Sequence, residues 1–301
     1  MQNIKYYLFR LVLEPIFSEK TSSNSRINTL FDSNEISRSK IIEKIILFSP
    51  KLNEEDSIYI IANPKTIDGI GVYFKFGSIR KQEGVTYDKT KNDFLYSKKD
   101  EADYVQCYYK TKEQILAIEN KPRFYSISGI TKRLEDTLES IKQNKQFQLT
   151  KEENAFLNVH TCKTRKIYKS VEFIKSIRDA QIVSNFTIII PQKNPQDFGD
   201  MIGEPLSNLL EETGGKFGKL TVHNNGGLKK DRLEKLSRDA GAYGAGASAT
   251  IQKKHEEKCQ TIKLDVNRNH AYCSISQSAS KEETLKQIYN TYKEIHYGED
   301  K

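Results

Sequence analysis

The sequence predicts an α+β protein with two mixed α/β domains, the second of them a small α/β sandwich. Apolar residues recur with the strand period in some segments and with helical spacing in others. A polar stretch at 142–154, rich in Lys and Gln, separates two such regions. Beyond it, strand-like and helix-like segments alternate, which is typical of layered α/β units. We therefore expect an N-terminal α+β domain over 1–150, which a strand and a helix at 271–301 can complete, and a basic α/β domain over 155–270.

Local patterns predict the elements of the first domain. The apolar, β-rich run at 6–13 is closed by Pro15 and predicts a strand. Ser39 can cap a helix through Leu47, because isoleucines recur on one side of that segment. The other expected elements are, in order, strands at 57–62 and 70–76, an exposed hairpin or loop at 80–101, a strand at 104–109, a short helix from Thr111 and a helix at 131–143.

The second domain is predicted in the same way. The run SNFTIIIP at 184–191 is largely apolar and indicates a central strand. Ser280 and Glu283 form a capping box ahead of the last helix. The full expected order is a strand at 156–166, a helix at 171–180, the strand at 184–191, a helix at 205–214, a strand at 220–223, a helix at 231–240 ended by Gly241, strands at 261–266 and 271–276, and a helix at 280–297.

Composition excludes several classes of protein. Hydrophobic residues make up 37% of the chain and aromatic residues 10%, which is enough for a core and excludes bulk disorder. No apolar run reaches the roughly 18 residues that a transmembrane helix needs. The segment at 1–15 has neither a basic start nor a small-residue cleavage site, and it predicts a strand instead of a signal peptide. The four cysteines form no CxxC motif, so we expect a reducing, cytoplasmic setting.

Charge points to an anionic partner. The net charge is +8, and residues 155–270 hold most of it, with 19 Lys and Arg against 13 Asp and Glu. Two basic segments lie in this region, at 163–178 and at 216–238, and a solvated basic surface is the alternative interpretation. Phosphate contacts are expected from Lys163, Arg165, Lys166, Lys169, Lys229, Lys230, Arg232, Lys235 and Arg238.

Motifs for catalysis are weak. The glycine-rich stretch at 241–247 lacks the spacing and the preceding strand of a nucleotide loop, and it predicts a flexible loop or a helix end. Two His/Cys pairs could supply zinc ligands, but they are far apart in the chain: His160 with Cys162, and His255 with Cys259. No cofactor or metal is expected. Acidic residues near a strand end leave a metal-dependent nuclease open: Asp179, Asp197, Asp200 and Glu204.

One segment resembles a known family. From Phe156 the chain reads FLNVHTCKTRKIYKSVEFIKSIRDAQIVSNFTIIIPQ: a strand with a His and basic residues, a short amphipathic helix, a polar turn and an apolar strand. This order is similar to the central region of the RexA family of phage-exclusion proteins. The resemblance implies a two-domain, dimeric α+β protein that binds DNA with little sequence specificity in antiviral defence by abortive infection. It also implies a signal passed to a protein effector partner, which in that family is a membrane protein.

The sequence thus favours a non-enzymatic, cytoplasmic DNA-binding protein of a bacterial or phage defence system. DNA is favoured over RNA, and a homodimer is expected. Two alternatives stay open. One is a metal-dependent nuclease effector, and the other is a protein-interaction module with a basic face.

Overall fold

The computed structural model describes residues 3–16, 38–49, 58–88, 90, 93–144, 146–147, 149–191, 213, 217–254, 258–264 and 270–298. Within these residues the chain forms eleven strands and six helices in two sheets, which confirms the α+β class. The strands are β1 (Asn3–Pro15), β2 (Tyr59–Ile67), β3 (Gly71–Asp88), β4 (Asp93–Lys110), β5 (Ile115–Glu119), β6 (His160–Lys166), β7 (Ala180–Pro191), β8 (Phe217–His223), β9 (Ala247–Lys253), β10 (Cys259–Lys263) and β11 (Tyr272–Ser276). The helices are α1 (Arg38–Phe48), α2 (Ile127–Gln143), α3 (Lys151–Asn158), α4 (Val171–Asp179), α5 (Lys230–Tyr243) and α6 (Lys281–Tyr297).

The larger sheet has seven antiparallel strands in the order β11-β1-β5-β4-β3-β2, and β6 also pairs with β1. Strands β6 and β11 lie end to end along the same edge of β1. At their junction Leu8 donates its N–H to the Ala271 carbonyl and accepts the N–H of Ile167. The opposite edge of β1 pairs with β5. The hairpin expected at 80–101 is confirmed as the outer part of β3 and β4, which stay paired up to Asp88 and Asp93.

Helices cover both faces of this sheet. Helices α1, α2 and α3 bury their apolar stripes on one face, against alternate residues of β1 such as Phe9 and Leu11. Helix α6 packs on the other face, where Leu285, Ile288 and Tyr292 join the core. The capping box of Ser280 and Glu283 is formed as the sequence predicts. The C-terminal strand and helix therefore complete the larger sheet.

The smaller sheet is antiparallel in the order β10-β9-β7-β8. Helices α4 and α5 pack on one of its faces. The apolar strand expected at 184–191 is confirmed within β7 and contributes Phe186 and Ile188 to the core. Phe173 of α4 and Leu233 of α5 pack against them. The helix expected at 205–214 lies outside the described residues, apart from Thr213.

The strand expected at 156–166 is partly wrong. A capping box of Thr150 and Glu153 starts helix α3 at Lys151, inside the polar stretch interpreted as a linker. Only His160–Lys166 is a strand, and it pairs with β1 of the larger sheet. Carboxylates of α2 protect the outer edge of β6: Glu139 accepts the N–H of Cys162, and Glu135 accepts that of Thr164.

The short helix expected from Thr111 is also wrong. Residues 111–114 form a turn, in which Gln114 donates its N–H to the Thr111 carbonyl and has a φ of 55°. Strand β5 follows at once, and its apolar residues are buried. Instead of capping a helix, the Thr111 hydroxyl donates to Glu43 of α1. The long-range pairing of β5 with β1 and β4 overrides the local capping pattern.

The glycine-rich stretch is structured. Helix α5 continues through Gly241 to Tyr243 and ends at Gly244, whose φ of 72° is left-handed. A Cβ at Gly241 would lie 2.7 Å from the Tyr168 carbonyl oxygen, and one at Gly244 would lie 2.6 Å from that of Lys166. These glycines let the end of α5 approach the end of β6. Of the two expected structures, the helix end is confirmed, although it falls at Gly244 and not at Gly241, and β9 begins at Ala247.

Candidate nucleic-acid interface

The two basic segments do not lie in one structural unit, contrary to the expectation from sequence. The first segment runs through β6 of the larger sheet into α4. The second includes β8 and α5, and α4 and α5 both pack on the smaller sheet, so the two segments share that sheet only in part. The strand period further divides the first segment. It places Lys163 and Arg165 on one face of the larger sheet and Lys166 on the other.

Lys163 and Arg165 are engaged within the protein. The Lys163 ammonium lies 3.1 Å from Glu135 Oε2 of α2. The Arg165 Nε lies 2.8 Å from Glu14 Oε1 of β1. Each cation thus has a carboxylate partner within its own sheet or on the helix beside it, and each would have to leave that partner to bind a phosphate.

Lys166 and Lys169 lie in a different setting, at the junction of β6 and β11. There they meet groups that the sequence analysis did not single out. We call this cluster the Tyr272 patch; its members are Lys5, Tyr7, Lys166, Lys169, His270 and Tyr272. Directly paired residues of antiparallel strands share a face, so the register of Tyr7 with Tyr272 and of Phe9 with Lys166 places these side chains on one face.

Tyr272 is the centre of the patch. Its side chain is 40% exposed. The Lys5 ammonium lies 3.7 Å from the ring centroid, and the Lys169 ammonium lies 4.5 Å from it. Such cation–π contacts hold the flexible lysine side chains in place without neutralising their charge.

His270 forms the floor of the patch. Its ring stacks on Tyr7 with centroids 4.7 Å apart, and its Nε2 lies 2.9 Å from the Leu8 carbonyl oxygen. Burial, together with the charges of Lys166 and Lys5, lowers the pKa of His270 to about 4. The imidazole is therefore neutral at pH 7, and the positive charge of the patch resides on its lysines.

Among the residues that the structure describes, none of Lys5, Lys166 and Lys169 forms an ion pair with a carboxylate. Three uncompensated ammonium groups beside a neutral imidazole create a local positive potential. Such a surface attracts phosphate oxygens.

The basic residues of α5 have mixed roles. Lys229, Arg232 and Lys235 are exposed and form no ion pair within the described part of the chain. Lys230 instead donates to the Arg178 carbonyl, 3.0 Å away, and so ties α5 to the end of α4. The Arg238 guanidinium packs against the backbone at Gly298, after α6. The first three side chains form a second, separate basic surface.

Sequence reasoning therefore found two members of the Tyr272 patch and missed four. Lys5 and Tyr7 lie in a strand whose apolar character dominated its interpretation, and Tyr272 lies in another strand. Only the pairing of β1 with β11 brings these residues together. The two-residue spacing of Lys5 and Tyr7 could have indicated the patch from sequence, since it places a Lys and a Tyr on one face of a strand. Such a face forms a basic, aromatic surface.

The residues considered for metal chemistry do not converge where they can be placed. Cys162 is buried in the larger sheet, whereas Cys259 is exposed on the smaller one. Over the described ranges, no three His, Cys, Asp or Glu side chains cluster as metal ligands would. Asp179 is exposed at the end of α4. The other residues named for zinc or for a nuclease lie outside the described residues: His255, Asp197, Asp200 and Glu204.

Comparison with known proteins gives no relative. No model of a protein family matches the chain, and a search of curated proteins finds none that is significantly similar. As to membranes, no helix in the described part of the chain combines the length and the apolar character needed to cross a bilayer.

Proposed function

We propose that this protein binds DNA without enzymatic turnover and largely independently of sequence, through phosphate contacts at the Tyr272 patch. The observation that carries the proposal is the group of three lysine ammoniums at one sheet junction that no described carboxylate neutralises. An ion pair within the protein would neutralise such charges, whereas a bound polyanion is complementary to them.

The same proposal places the protein in a bacterial or phage antiviral defence system, in the cytoplasm and as a homodimer. The defence role and the homodimer rest on the resemblance of the segment from Phe156 to the RexA family, as does the preference for DNA over RNA. The cytoplasmic setting rests on the cysteines, which form no CxxC motif. The expected protein effector partner rests on the same resemblance to the RexA family. The exposed residues of α5 provide an additional basic surface for a long polyanion.

Binding is tested by fluorescence anisotropy with labelled duplex DNA, single-stranded DNA and RNA, at about 50 and 200 mM salt. A protein that contacts several phosphates loses affinity steeply over this range. Lys166→Gln combined with Lys169→Gln should weaken binding to every sequence and lower the salt slope by about 1 for each lysine–phosphate interaction removed. Incubation of the same probes with magnesium, followed by a gel, separates binding from cleavage.

The control is the pair Lys132→Gln and Lys286→Gln, which removes the same charge from exposed sites on α2 and α6. If that pair weakens binding as much as the patch variant does, general basicity explains the binding and the patch does not. If the unmodified protein binds no probe at low salt, the proposed function is wrong.

A further inference from the structure

The aromatic rings of the Tyr272 patch are occupied by groups of the protein itself. Lys5 approaches Tyr272 from β1, which pairs with β11. Lys169 approaches from the segment after β6, where Tyr168 bridges His270. Two ammonium groups from two different segments thus lie within 4.5 Å of the ring centroid, where they compete with a nucleic-acid base for the ring.

The other two rings of the patch are likewise engaged. Tyr7 and His270 stack on each other with an angle of 28° between their planes. Phe9 meets His270 edge-on, with centroids 4.7 Å apart. Proteins that hold unpaired bases use aromatic rings with a free face. Each of the three rings of the patch therefore contacts a cation or another ring.

We infer that the patch recognises the sugar–phosphate backbone alone, so that bases are dispensable and single and double strands are both ligands. Tyr272 then acts as a spacer that holds Lys5 and Lys169 apart, at positions where each can meet a different phosphate. This inference rests on the proposed function, because it specifies what the same patch binds.

The test compares a labelled single-stranded DNA with a strand of equal length and phosphate number that carries abasic tetrahydrofuran sites throughout. The unmodified protein should bind both strands with affinities within about 2-fold of each other. Stacking on an aromatic ring would make the abasic strand weaker by at least about 5-fold for each base that stacks in the intact strand. Such weakening would overturn the inference while leaving nucleic-acid binding intact. If the protein binds neither of the two strands and does not bind duplex DNA, the proposed function is refuted.

Two variants test the spacer. Tyr272→Phe keeps the ring and should keep the affinity, whereas Tyr272→Leu removes the surface that positions both ammonium groups and should weaken binding of both strands equally. Circular dichroism and thermal unfolding verify that each variant is folded. Full affinity in a folded Tyr272→Leu protein would show that the ring does not position the lysines. Weakening of the base-bearing strand alone would show that the ring stacks on a base.

Discussion

The Arg10 guanidinium of β1 donates a hydrogen bond to the Tyr292 hydroxyl of α6, across 282 positions of the chain. Arg10 is only 6% exposed. It also donates from Nε to the Ala242 carbonyl of α5, 3.2 Å away, and to the Glu113 carbonyl in the turn before β5. One buried side chain thereby connects the larger sheet with α5, which packs on the smaller sheet, and with α6.

Replacement of this side chain should destabilise the whole fold. Arg10→Met keeps the volume but leaves buried carbonyl groups without a donor, so we expect the free energy of unfolding to fall by roughly 3 kcal/mol. Tyr292→Phe removes one hydrogen bond and should cost about 1 kcal/mol. Urea unfolding followed by circular dichroism measures both. A change below about 0.5 kcal/mol for Arg10→Met, a size usual for surface substitutions, would contradict this role.

Stability should fall as the pH drops below 7. His160 is fully buried, with its Nδ1 2.8 Å from the Phe156 carbonyl oxygen, and burial lowers its pKa to about 4. In the unfolded chain, the His160 imidazole therefore binds a proton near pH 6.5. In the folded chain, it binds that proton only near pH 4. From pH 7 to pH 5 this group alone should remove roughly 2 kcal/mol.

Unfolding free energies at pH 7 and pH 5 provide the measurement. His160→Gln eliminates this titration and should flatten the pH dependence, even if it lowers stability at both values. His270 contributes in the same direction, since its pKa is also lowered to about 4. If the unfolding free energy changes with pH equally in His160→Gln and in the unmodified protein, other groups control the acid sensitivity.

The glycines at the end of α5 should resist substitution for different reasons. Gly244→Ala forces a side chain into a left-handed backbone and should cost at least about 1 kcal/mol. Gly241→Ala places a Cβ 2.7 Å from the Tyr168 carbonyl oxygen and should displace β6 or α5. Gly246→Ala is the matched control, because its nearest contact would be Ile189 at 3.4 Å. Thermal unfolding should rank Gly246→Ala as the mildest of the three, and any other order would refute this packing argument.

The exposed cations of α5 should add to binding without being essential. Arg232→Gln with Lys235→Gln removes two charges from a helix surface where neither side chain is paired within the described residues. We expect weaker binding to all sequences and a lower salt slope, with some affinity retained by the Tyr272 patch. Anisotropy titrations at two salt concentrations decide this. Unchanged affinity and slope would exclude this helix from the interface.

Sequence patterns within a few residues predicted the helices that neighbouring residues stabilise. The capping box of Ser280 and Glu283 and the apolar stripe behind it predict α6 almost to the residue. The capping box at Thr150 is equally strong, yet the polar residues around it were interpreted as a linker. Strand β5 was missed because five residues carry too short a pattern to outweigh the preceding turn. Its existence depends on β1 and β4, which are distant in sequence.

The candidate site was less predictable than the fold. Lys166 and Lys169 stand out in sequence because they belong to a dense basic run. The grouping of Lys5 with Tyr272 depends on the register between the first and the last strand, and a shift of one residue would send one of them to the opposite face. Charge can be counted along a chain, but its neutralisation depends on folded neighbours, as the pairing of Lys163 with Glu135 shows.

The edge-sharing of β6 and β11 along β1 also determines when the protein can finish folding. During synthesis, β1 leaves the ribosome well before β11, which contains Ser276, the partner of Asn3. Strand β1 lacks its pairing with β11 while the ribosome makes the intervening chain at about 5–20 residues per second. For that interval, of the order of tens of seconds, an apolar strand edge is exposed to other chains. Production of this protein should therefore depend on chaperones, and truncation before β11 should yield aggregates.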